Sequence, residues 1–72
     1  MDQKNIKKLG SNLRKIRQSR GWTQEKLAEM AGIHPVYVCY IEKGKRNPSI
    51  TKIFRIGKAL KCGANEIFRG IF

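Results

Sequence analysis

Seventy-two residues, 40% of them apolar, are enough for one domain with one modest core. Sixteen Lys and Arg against five Asp and Glu give a formal charge of +11, which points to an anionic partner: nucleic acid first, an anionic membrane surface second. There is one His, and there is no paired-carboxylate, Ser–His–Asp or glycine-rich phosphate motif, so neither enzymatic activity nor a cofactor is expected. His34 has no His, Cys or carboxylate at ligand spacing, which argues against a metal site. The longest apolar run, Val36 to Ile41, is far short of the roughly 18–20 residues needed to span a bilayer, and the N-terminus lacks a signal-peptide core. A cytoplasmic location with Cys39 and Cys62 as free thiols is expected, and no membrane partner. A chain this short buries only about 60% of its unfolded surface, so dimerisation would add stability.

The pattern predicts five helices and no strand, an all-α class. The first helix is expected from about Asn5 to Arg20, with Ile6, Leu9, Leu13 and Ile16 on one face, Asn5 as N-cap, and Gly21 in the left-handed position after its end. Gly10 weakens the interior and is a candidate bend. Thr23 caps a second helix, Gln24 to Ala31, which buries Leu27, Ala28 and Ala31 and stops at Gly32. The third starts at Pro35, where a missing N–H costs nothing, and runs to Lys43 before Gly44, with Val38 and Ile41 inward. Ser49 caps a fourth, Ile50 to about Leu60, with Ile50, Ile53, Gly57 and Leu60 on one face, broadened by Phe54 and Ile56. A short fifth follows, Ala64 to about Arg69, with Ile67 and Phe68 inward and Gly63 at its N-cap.

Two short helices joined by a glycine-containing turn, followed by the basic loop Lys45-Arg46-Asn47-Pro48, form the pattern of a helix-turn-helix, whose second helix enters the DNA major groove. At about 100° per residue, with Val38 and Ile41 inward, the outer face of the third helix carries Val36, Tyr40 and Lys43 with Cys39 beside them, flanked by Pro35 and Tyr37. This face lacks the Asn, Gln and Arg that form bidentate base contacts. Apolar contact of Pro35 and Val36 with thymine methyls, a Tyr40 hydroxyl contact, and hydrogen bonds from Lys43, Lys45 and Arg46 are therefore expected. Gln24, at the exposed amino end of the second helix, and Lys45, Arg46 and Asn47 are expected on phosphates. His34 is expected at the N-cap of the third helix, touching a phosphate, and Tyr37 in packing or on a phosphate. Lys7, Lys8, Lys15, Lys52, Arg55 and Lys58 read as a solvated surface that speeds encounter with DNA.

The ordered set Leu13, Ile16-Arg17, Gly21, Thr23-Gln24, Leu27-Ala28, Ala31-Gly32, Val38, Ile41-Glu42, Gly44, Arg46-Asn47-Pro48-Ser49, Lys58-Ala59-Leu60 and Asn65-Glu66-Ile67-Phe68 resembles the lambda Cro/C1-type (XRE family) helix-turn-helix proteins. That family includes restriction–modification controller proteins and phage repressors. The resemblance implies a compact, lambda repressor-like five-helix domain over residues 1–72, with the helix-turn-helix at about 24–43. It also implies base reading from Pro35, Val36, Cys39 and Tyr40, and a buried ion pair between Arg17 and Glu42. Departures are His34 for the usual Ser or Thr, Cys39 for a small or polar residue, and Lys61 where a glycine commonly follows the fourth helix. A left-handed Lys61 would cost about 1–2 kcal/mol, so a different connection is expected there. Cys62 stands where the family often has an aliphatic residue and is expected in the core. Cys39, with no cysteine near it in sequence, is expected to be inert.

The tail Ile67-Phe68-Arg69-Gly70-Ile71-Phe72 is too apolar for a free terminus, so Ile67, Phe68, Ile71 and Phe72 are expected in a two-fold homodimer interface. The expected function is a dimeric, sequence-specific regulator of transcription on double-stranded DNA half-sites, with RNA polymerase as a further candidate partner. Two alternatives stay open: an antitoxin- or antirepressor-like interaction module, and a cationic membrane-surface protein.

Overall fold

The computed structural model describes Met1–Phe72, folded as α1 (Gln3–Ser19), α2 (Gln24–Ala31), α3 (Pro35–Glu42), α4 (Ile50–Leu60) and α5 (Ala64–Ile67). Helix α1 begins earlier than its apolar pattern indicates. Asp2, not Asn5, is the N-cap, and its carboxylate accepts the Asn5 N–H at 2.8 Å. The first turn of α1 is polar, so hydrophobic spacing could not reveal it. Helices α2 and α4 keep their expected bounds because their caps are local. The Thr23 hydroxyl accepts the Lys26 N–H at 3.0 Å, and the Ser49 hydroxyl accepts the Lys52 N–H at 3.2 Å. Gly32 takes the left-handed conformation (φ 69°) that lets the chain turn from α2 into α3. Helix α3 closes at Glu42, with Lys43 as its C-cap rather than its last residue.

The core is built from Leu9 and Leu13 of α1, Leu27, Ala28 and Ala31 of α2, Val38 and Ile41 of α3, Ile53, Ile56 and Leu60 of α4, and Ile67 of α5. Helix α3 packs against both α1 and α2, while α2 also packs on α4 and α1 on α5. Helix α1 is continuous through Gly10. The glycine lies against the backbone carbonyls of Ile41 and Glu42, where a Cβ would overlap the Ile41 oxygen. Its missing side chain is what lets α1 cross close to the C-terminal end of α3.

The buried stripe of α4 is narrower than the sequence suggests. Ile53, Ile56, Gly57 and Leu60 are buried, but Ile50 and Phe54 are 75% and 71% exposed. On a helical wheel these two lie about 70° and 110° from the centre of the buried stripe, beyond the reach of the core.

Lys61 is left-handed after all (φ 55°, ψ 46°), so the expected alternative connection does not form. Its strain is offset by hydrogen bonds that close the helix end. Cys62 N–H donates to the Gly57 carbonyl at 3.0 Å, and the Arg20 guanidinium donates to the Leu60 carbonyl at 3.1 and 2.9 Å.

Helix α5 ends at Ile67, shorter than expected, and its end is held from α1. The buried Asn12 amide donates to the carbonyls of Ile67 (2.8 Å) and Arg69 (2.9 Å). Ile67, expected at a dimer surface, is only 3% exposed and belongs to the core of its own chain, packed on Gly57. No helix is long and apolar enough to cross a membrane.

Gly10→Ala supplies a direct check of the α1–α3 approach. By helix propensity alone the change would stabilise by about 1 kcal/mol. The overlap with Ile41 reverses the sign, with an expected net loss of about 1–3 kcal/mol in urea unfolding. An unchanged or raised stability would contradict the close approach.

Candidate nucleic-acid interface

Helix α3 carries no charged side chain before Glu42 at its end, so packing decides which of the others face outward. Val38 and Ile41 are each 1% exposed, whereas Val36 and Tyr40 on the opposite side are 49% and 39% exposed. Pro35 and Lys43 are exposed at the two ends of this face. Cys39 is half-buried in a notch with Gln24, Thr23 and Glu25 of the neighbouring α2 end, Val36 and Pro35. His34 holds the start of the helix: its Nδ1 accepts the Val36 N–H at 3.2 Å, replacing the hydroxyl more usual at such a position. The expected outer face of Val36, Tyr40 and Lys43 is thus brought together, with Cys39 set back from it.

The end of α3 is held by a charged network. Arg17 Nε and Nη2 donate to Glu42 Oε2 and Oε1 at 2.7 and 3.0 Å, a bidentate pair. Arg17 Nη1 donates to the Trp22 carbonyl at 2.6 Å, in the turn between α1 and α2. The side chains of Arg17 and Glu42 are 10% and 3% exposed, so water screens this pair little. Gln24 adds an unexpected strand to the network: its Nε2 donates to Glu42 Oε1 at 3.1 Å. The sequence reading placed this side chain on a phosphate alone. Bonded as it is, it ties the amino end of α2 to α3 and keeps one amide hydrogen and its carbonyl oxygen for another contact.

Beyond α3 the chain runs through Lys45, Arg46 and Asn47, all exposed, to the buried Pro48. Arg46 and Lys52 converge on the Tyr37 ring, with the guanidinium carbon 5.9 Å and Nζ 4.9 Å from its centroid. The sequence reading left Lys52 among solvated charges. Its placement depends on how α4 packs beside α3, a tertiary fact with no local signature. Asn12 and Arg20 were missed for the same reason. The only other ion pair is the exposed Lys26–Glu29 contact at 3.9 Å, so most of the positive charge has no acidic partner.

A second surface lies between α4 and α5, where Ile50, Phe54, Gly57, Cys62, Ala64 and Phe68 line an apolar groove. Phe72, 97% exposed, stacks obliquely on the half-buried Phe68 with ring centroids 5.4 Å apart. Ile71 packs against the core from the edge. Of the four residues expected at a dimer contact, Phe68 lines this groove and Phe72 stacks on it, Ile67 is buried at the groove's base, and Ile71 packs on the core. Both thiols are free, and that of Cys62 is raised above its usual range, first by burial and then by Glu66, with Arg20 acting in opposition.

A family model described as Helix-turn-helix (HTH_3) matches residues 13–67. Control protein C.SmaI of Serratia marcescens is 37% identical over 67 residues, covering 93% of this chain and 77% of that protein. Control protein C.BamHI of Bacillus amyloliquefaciens is 45% identical over 52 residues, covering 71% and 64%. The crystal structure of the restriction-modification controller protein C.AhdI from Aeromonas hydrophila matches with a TM-score of 0.85 and 36% identity, covering 88% of this chain and 96% of that one.

The network makes Glu42→Ala a sensitive probe. Removing the carboxylate leaves the Arg17 charge buried and unpaired, with an expected loss of about 3–5 kcal/mol in urea unfolding. A loss below about 1 kcal/mol would mean that the pair behaves as a solvated one.

Proposed function

Because the chain belongs to the helix-turn-helix (HTH_3) family of transcriptional regulators, we propose that it binds double-stranded DNA sequence-specifically as a two-fold dimer. Each copy would lay α3 in the major groove of one operator half-site. The family consists of regulators rather than enzymes, and its match over residues 13–67 supports reading the chain as one binding unit. The observation that carries this reading is the exposed outer face of α3, with Val36 and Tyr40 held outward by a helix anchored at both ends.

Pro35 and Val36 contact thymine methyls, and Tyr40 offers a hydroxyl to a base edge. Lys43, Lys45 and Arg46 supply the hydrogen bonds that the apolar face lacks. Gln24 uses its remaining amide hydrogen on a phosphate beside the N–H groups that open α2, while His34 and Asn47 line the same approach. Cys39, half-buried in its notch beside Gln24 and Val36, contributes shape rather than a hydrogen bond. Control of a restriction–modification system is the biological setting favoured by the likeness to C.SmaI, C.BamHI and C.AhdI.

The dimer contact is the apolar groove of α4 and α5, which keeps Phe68 and Phe72 of the surface expected from sequence, adds Ile50 and Phe54, and leaves Ile67 in the core. Ile71 supports it from the rim. Two large side chains, one turn apart on α4 and exposed beside an apolar groove, are unusual on a monomer surface.

Selection of bound duplexes from a random pool should return two related half-sites with thymines at positions facing Val36. Affinity for that operator should fall roughly 10³–10⁵-fold between 50 and 200 mM salt. Tyr40→Ala and Arg46→Ala should each relax preference at one position by about 1–3 kcal/mol, and unaltered preference in both would sink the readout. Phe54→Asp should sediment as a monomer with its helices intact; a dimer of unchanged mass would move the contact to another surface.

A further inference from the structure

Resting on the DNA-binding reading above, we infer that Tyr37, Arg46 and Lys52 form a phosphate clamp in which Lys52 is a DNA contact and the Tyr37 ring a positioning element. The two cations come from different segments, the loop after α3 and the first turn of α4, yet both lie over one ring at 5.9 and 4.9 Å. Neither has a carboxylate partner: the ion pairs of the chain are Arg17–Glu42 and Lys26–Glu29.

Lys52 is also badly placed for α4 itself. It sits in the first turn, where the helix dipole disfavours positive charge, and that turn contains no acid. Its side chain is nonetheless half-buried rather than extended into solvent. An aromatic ring attracts cations through its quadrupole but carries no net charge, so it can hold two cations near each other without neutralising them. A DNA phosphate supplies the missing charge. The location fits this ligand, since Tyr37 and Arg46 share a shallow notch with His34 and with Val36 and Tyr40 of the exposed face of α3.

Lys52 therefore fixes register on the backbone rather than reading bases, while the Arg46 guanidinium, with five N–H donors, serves both this phosphate and the base edge proposed for it above. Without the ring, Lys52 would be free to swing into solvent and would cease to count as a contact.

The test measures binding of the selected operator against ionic strength for the wild type, Lys52→Gln, Tyr37→Leu, Tyr37→Phe and the Tyr37→Leu/Lys52→Gln pair. Helical signal and melting temperature serve as fold checks. Lys52→Gln should flatten the slope of log affinity against log salt by about 0.9, equivalent to roughly three-fold less affinity lost between 50 and 200 mM. The weakening should be uniform across operator variants. Tyr37→Leu should abolish the effect of Lys52→Gln in the paired variant, whereas Tyr37→Phe, which keeps the ring, should preserve the slope contribution of Lys52. The clamp is overturned if Lys52→Gln leaves the slope unchanged, or if its effect is undiminished beside Tyr37→Leu. A wild type that binds duplex DNA without salt dependence would overturn the DNA-binding reading itself.

Discussion

The bidentate contact between Arg17 and Glu42 is the constraint on which the arrangement of the other elements depends. In a chain of charge +11, one of only five acids is buried, and it is used to hold a helix end in place. All three guanidinium nitrogens of Arg17 are bonded, two to Glu42 and one to the Trp22 carbonyl, so desolvation leaves no donor group unmet. Gln24 reaches the same carboxylate from α2. One residue on α1 thus fixes the turn, the amino end of α2 and the carboxyl end of α3 relative to one another. Gly10 permits this geometry by letting α1 approach the last carbonyls of α3. The His34 cap closes the other end of α3 locally by taking the Val36 N–H.

This rigidity matters because the exposed face of α3 is poor in chemistry. Val36 and Tyr40 offer shape, methyl contact and a single hydroxyl, which discriminate only when their position is well defined. A helix free to rock would lose that discrimination faster than one carrying several bidentate readers. Positioning therefore passes to the surrounding charges: the amino end of α2, the loop at Arg46, and the cations gathered on Tyr37. On the proposed reading, the remaining basic side chains contribute a general field that attracts the duplex without orienting it.

Local chemistry made much of the fold legible. Thr23, Ser49, Pro35 and Gly32 each act through their immediate neighbours, so the bounds of α2 and α4 and the start of α3 could be read from single residues. Helix α1 starts at an Asp in a polar turn that periodicity cannot see. On α4 the same period-based reading joined Ile50 and Phe54 to the core stripe. An apolar residue at the edge of a helical face can serve its own core or another molecule, and spacing does not distinguish them. Lys61 shows a further limit: its left-handed strain and the Cys62 bond that accompanies it are local, but the Arg20 bonds to Leu60 come from packing. The outer face of α3 was legible because only Val38 and Ile41 fit an inward stripe. The bond from Gln24 to Glu42 and the gathering of Lys52 on Tyr37 were not, because each joins segments whose proximity arises only in the folded chain.

Both the rigid frame and the reading face can be observed at once in ¹H–¹⁵N spectra of the labelled protein titrated with the selected operator duplex. The account predicts large shifts at Val36, Tyr40, Lys43 and Arg46, with the Arg17 Nε–H resonance staying in its hydrogen-bonded position throughout. Shifts concentrated on α1 or in the α4–α5 groove, or loss of the Arg17 resonance on binding, would contradict it.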